Sequence, residues 1–171
     1  MAGECRAGKE VGQVREHVAI LKRAYLELVL AGRKTVECRL ARVACPPYGR
    51  AAAGEVVWLK ESCGPVRGRA VVERVQFREG LTAEEVEAIE REYERFILGG
   101  EAFWREKQGS RYATLVWLKD VRSIPARWLK RRWGMQAWLI LDGRGPEWRK
   151  EADIQPGGRR AAPRQAEKGP A

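Results

Sequence analysis

Apolar residues in this chain come in short runs whose period changes every few positions, and each change marks a new element. Val18, Ala19, Ile20 and Leu21 form an unbroken apolar run, the pattern of a strand covered on both faces. From Ala24 to about Ala31 the spacing turns helical, with Tyr25, Leu28 and Val29 on one side, and Gly32 stands where a left-handed residue ends a helix at little cost. The heptapeptide from Lys34 to Leu40 then alternates. Val36 and Cys38 share one face while Thr35, Glu37 and Arg39 share the other, which predicts a half-buried strand with a charged side.

Further strands are expected at Glu55–Ser62 and Arg69–Phe77, joined as a hairpin through the Gly64-Pro65 turn. The best-marked helix starts at Thr82, which forms a capping box with Glu85, continues through Val86, Ile89, Tyr93 and Phe96, and stops at Gly99-Gly100. A strand from Tyr112 to Val121 is broken by Ile124-Pro125, Arg127–Arg132 reads as a short helical turn, and Gln136–Leu141 as a closing strand. Residues 1–16 and 142–171 are polar or rich in Gly and Pro, and read as flexible tails around one folded unit at 17–141. The class is α+β: a partly closed β-barrel of five or six strands flanked by two or three helices.

Composition narrows the function. With 44% hydrophobic and 33% charged residues, the 171-residue chain can fold around one core and has no apolar stretch that would span a bilayer. No signal sequence is apparent at the N-terminus, so a cytoplasmic protein without membrane partners is expected. The net charge is +10, and residues 17–141 carry +8 of it, so the excess belongs to the folded part. Such a field concentrates polyanions and points to nucleic acid. Cys5, Cys38, Cys45 and Cys63 include no C-x-x-C pair, and His17 is the only histidine, so free thiols, no metal site and no cofactor are expected.

The segment HVAILKRAYLELVLAGRKTVECRL, from His17 to Leu40, resembles the ASCH domain, the activating-signal-cointegrator homology module of the PUA-like superfamily. The family pattern is a strand ending in a basic residue, a short helix, and G-[RK]-K-T-[VI]-E-x-R, matched here by Gly32, Arg33, Lys34, Thr35, Val36, Glu37 and Arg39. The Gly64–Gly68 turn and Ser110-Arg111-Tyr112-Ala113 also suit the family layout. The resemblance spans about 17–141 and implies a PUA-like barrel whose cleft holds RNA or a modified base.

In that setting Lys22, Arg33 and Lys34 would take phosphates, and Glu37 beside Arg39 would offer an acceptor and donors to a base edge. Lys107, Arg111 and Tyr112 are further candidate contacts, and Trp128–Trp133, which interleaves aromatics with cations as Phe103-Trp104-Arg105 does, is a candidate stacking strip. Each has a plainer reading. Arg33 and Lys34 would neutralise the C-terminal end of the first helix, Glu37 and Arg39 would form an ion pair on a solvated face, and the tryptophans would dock onto the barrel.

The expected function is therefore a module that binds RNA or another single-stranded nucleic acid, with a monomer as the default. The alternative is a hydrolase of the ASCH type, acting on acetylcytidine or on RNA through Lys34 and Glu37. The amidohydrolase branch pairs the motif lysine with a threonine three positions later, where this chain has Glu37. A carboxylate there can activate a water but cannot itself be the hydroxyl nucleophile. A protein-interaction module, indifferent to nucleic acid, is the third class.

Overall fold

Among the described residues, six strands and three helices follow in the order β1 (Glu16–Leu21), α1 (Arg23–Leu30), β2 (Val36–Ala41), β3 (Val56–Glu61), β4 (Val66–Glu79), α2 (Ala83–Ile97), α3 (Glu101–Lys107), β5 (Tyr112–Arg127) and β6 (Trp138–Leu141). The computed structural model describes residues 14–130, 136–141 and 145–150. The strands form one sheet in the order β2-β5-β4-β3-β1-β6, antiparallel except where β1 runs parallel to β3. The sheet curls into a half-barrel, the partly closed barrel expected from the pattern.

Its concave face is filled by Ala19, Leu21, Val57, Leu59, Ala70, Val72, Val116, Leu118 and Trp138, packed around Leu26 and Val29 of α1. Each Leu or Val so enclosed contributes about 1.5–3 kcal/mol. Gly68 lets the helix come close: a Cβ there would sit 2.5 Å from Leu30 Cδ2 and 3.2 Å from the Arg122 carbonyl oxygen. On the convex face, Val36, Cys38, Leu40, Ala113, Leu115 and Trp117 meet Val86 and Ile89 of α2 and Trp104 of α3. The alternation read in β2 is therefore right, but both of its faces are covered, so Glu37 and Arg39 face the interior of the half-barrel instead of solvent.

Four local expectations change. β5 runs through Pro125 to Arg127, because the pairing with β4 is irregular between Val66 and Gly68, and a bulge is where a residue without an N–H fits a strand. The interval between α2 and β5, where the pattern marks no element, contains α3. Leu98, not Gly99, takes the left-handed turn that ends α2, with φ 50°, and its N–H bonds to the Glu94 carbonyl. The helical turn expected from Arg127 is absent over the part that is described: Arg127 ends β5, Leu129 pairs with Trp148, and Lys130 and Arg149 donate backbone N–H groups to Glu147 and Trp128. Residues 131–133, with Trp133, lie outside the described residues, as do 1–13 and 151–171.

Candidate functional site

Three residues of the sequence motif meet inside the half-barrel. The turn that delivers them is pinned on both sides. Gly32, with φ 70°, ends α1, and the backbone N–H groups of Arg33 and Lys34 both reach the Leu28 carbonyl. Thr35 then donates to Phe96 O and accepts from Leu118 N–H, which ties the start of β2 to α2 and β5.

Lys34 is 4% exposed, and its ammonium donates to the carbonyl of Ile97, the last residue of α2. It does neutralise a helix C-terminus, but that of α2 and not of α1. The same Nζ lies 3.6 Å from Glu37 Oε2 and 5.4 Å from the centre of the Tyr25 ring. Tyr25 in turn donates its hydroxyl to Gly99 O. Burial, with the negative charge of Glu37, Glu94 and Glu106, pushes the Tyr25 phenol above its ordinary pKa, so it stays a donor.

Glu37, 5% exposed, is flanked on the other side by Arg39, whose Nε is 2.9 Å from Oε1. That approach is close in charge but poorly aligned. As a result Glu37 Oε2 and Arg39 Nε are both buried and without a hydrogen-bond partner among the described residues. Arg39 reaches across the mouth of the half-barrel: its NH2 donates to Ile20 O at 3.0 Å, and its guanidinium lies 5.6 Å from the centre of the Trp138 indole. The two cations and one carboxylate leave the cluster with a net charge of +1.

The other candidates are distributed around this centre. Lys22 is exposed at the N-cap of α1, and half-buried Lys107 pairs with Glu106 at 2.9 Å. Lys107, with a smaller contribution from Lys22, holds the Glu106 carboxyl below its ordinary pKa. Arg33 is exposed and has no ion pair among the described residues. Arg111 precedes β5 and Tyr112 begins it, pairing with Ala41, two rows from the Glu37–Val116 pair. Trp104 is buried at 2% exposure and donates its indole N–H to Glu94, so it is a packing residue and no stacking surface.

Sequence reasoning missed Tyr25, His17 and Trp138 as parts of the site. Tyr25 was read as a core position of α1, and its spacing carries no sign of a polar role. Trp138 lies in an apolar strand and is buried, and its indole also lies against the Arg39 guanidinium. Among the described residues no three His, Cys, Asp or Glu side chains come together as metal ligands would. No described helix is long and apolar enough to cross a membrane.

No family model matches the sequence, and no curated protein matches it. The fold does have solved counterparts. The ASCH protein of Zymomonas mobilis is 23% identical, with a TM-score of 0.59, over 74% of this chain and 87% of that one. Two variants of it, one Tyr-to-Phe and one Ser-to-Ala, are also 23% identical, with TM-scores of 0.59 and 0.60, covering 74% and 76% of this chain and 90% of theirs.

Proposed function

We propose that this chain, built on the fold of the ASCH proteins, binds single-stranded RNA and reads one unstacked base beside Glu37 and Arg39. The observation that carries this reading is the pair of unmatched buried atoms. Both atoms sit in ion pairs without a well-aligned hydrogen bond, an arrangement that a ligand with a donor and an acceptor would improve. Glu37 Oε2 has Lys34 at 3.6 Å and Arg39 Nε has Glu37 Oε1 at 2.9 Å, so each lacks an aligned hydrogen bond and not an opposite charge. The edge of a nucleobase presents a donor and an acceptor side by side.

The surroundings suit the same ligand. The cluster's net positive charge and the +10 of the whole chain favour a phosphate backbone running past Glu37 and Arg39. Lys34, already engaged by Ile97 and Glu37, orients the carboxylate and does not reach out for phosphate itself.

The test is fluorescence anisotropy of labelled single-stranded RNA at about 50 and 200 mM salt, with counterion release predicting weaker binding at the higher value. Glu37→Gln presents an amide where the carboxylate accepted, and Arg39→Lys removes the planar fork. Both variants should bind more weakly than the parent while staying folded. A parent that ignores RNA at low salt ends the proposal, as do variants that bind like the parent.

The contact of Lys34 with Glu37 favours one second reading, hydrolysis of an acylated base. Glu37 would take a proton from water as that water adds to the acyl carbon. Lys34 would stabilise the developing oxyanion, the C–N bond would break, and acetate would leave as the amine regains a proton. Release of acetate from N4-acetylcytidine, abolished in Glu37→Gln, would establish it; no release would remove it.

A further inference from the structure

We infer that the same concave face carries a second subsite, two strands across from Arg39, where the ring of Phe77 receives a neighbouring base of the bound RNA strand. This rests on the RNA-binding reading and adds to it a place for a second nucleotide, held by stacking instead of hydrogen bonding.

Strand register places the subsite. Arg39 pairs with Thr114, and Thr114 with Phe77, so the three side chains share one row on the concave face. Strands lie about 4.8 Å apart, so Phe77 sits about 10 Å across the sheet from Arg39. One row farther along, Ala41 pairs with Tyr112 and Tyr112 with Glu79. The Tyr48 ring meets both aromatics edge-on, at 5.4 Å from Phe77 and 5.1 Å from Tyr112. Its hydroxyl donates to Glu79 at 3.0 Å, which fixes the ring and occupies the acidic residue of the row.

This aromatic trio belongs to none of the three buried core clusters. Phe77 is 36% exposed, and the other large apolar side chains so exposed among the described residues, Val14 and Val43, are aliphatic. A rigid, half-open phenyl ring on the inner face is costly in water and offers a π-face to a base. The exposed charges at this end of the sheet suit a polyanion. Arg42 and Arg111 are exposed at the Tyr112 end, with the Arg42 guanidinium seated over Gly109.

The experiment measures the affinity of short single-stranded RNA for the parent, Phe77→Ala, Phe77→Leu and Phe77→Trp across a salt series. Stacking on one aromatic is worth about a 5- to 150-fold change in affinity. Phe77→Ala and Phe77→Leu should both lose that much with an unchanged salt slope, and Phe77→Trp should retain binding. Leu keeps the apolar bulk without the π-face, so equal loss in both variants separates stacking from packing. Parent-like binding by Phe77→Leu or Phe77→Ala overturns the subsite while leaving the Glu37 and Arg39 reading intact. A parent that binds no RNA removes both.

Discussion

Trp138 donates its indole N–H to Nδ1 of His17 at 3.1 Å, and that single bond decides how the imidazole is protonated. Indole can only donate, so Nδ1 accepts and the proton sits on Nε2, which faces Glu55 Oε2 at 2.7 Å. Glu55 is itself held by the Ala52 N–H at 2.7 Å and lies 3.7 Å from Arg15. The fully buried histidine thus joins the start of β3 to β6, and through Trp138 it steadies the surface over which Arg39 lies.

Phe in place of His17 keeps the ring volume and strands both neighbours. His17→Phe should lower unfolding free energy by about 1–3 kcal/mol, read from urea denaturation, because the buried Trp138 N–H loses its acceptor. It should also weaken RNA binding through Arg39, with a smaller effect than Arg39→Lys. Parent-like stability would show that the bond to Trp138 contributes little.

Lys34 is the residue whose loss should hurt the fold most. Lys34→Met leaves the Ile97 carbonyl without its donor and Glu37 with one cation where it had two. Removing one partner of a buried ion pair typically costs about 3–5 kcal/mol, so the thermal midpoint should fall by many degrees. A loss below about 1 kcal/mol would mean that the ion pair behaves as an exposed one.

Cysteine chemistry gives a prediction in pH. Burial, reinforced by the Glu37 charge and opposed by Lys34 and Arg39, pushes the Cys38 thiol up to about 12, whereas Cys45 and Cys63 are exposed. At pH about 9, iodoacetamide should label Cys45 and Cys63 in the native protein and spare Cys38 until denaturant is added, as peptide mass spectrometry can resolve. The sign of the linkage follows. A thiol kept protonated in the fold contributes stability that is whole below its unfolded pKa and is lost as pH rises toward 12. Early labelling of Cys38 would contradict its burial.

Much of the fold was legible because it rests on local signals. The apolar run at Val18–Leu21, the capping box at Thr82 and Glu85, the glycine after α1 and the hairpin at Gly64-Pro65 each fix an element through its own residues. The unread parts depend on distant partners. Pro125 is tolerated only because β4 is irregular opposite it, and α3 is a seven-residue helix held by Trp104 against Glu94. The motif placed Lys34, Glu37 and Arg39 together, but nothing local says that Lys34 would serve α2 or that Tyr25 would close over it. Those contacts span 63 residues for Lys34 and 74 for the Tyr25 hydroxyl, beyond the reach of any short pattern.

Arg39 gives the half-barrel an unusual way to open. Between β2 at one margin of the sheet and β1–β6 at the other, the link runs through a guanidinium fork, with Ile20 O on one side and the Trp138 indole below. A rotamer change is far faster than the unzipping of a strand ladder. If the RNA-binding reading holds, a base that takes over the bonds of this one side chain would release the link with every strand pairing kept.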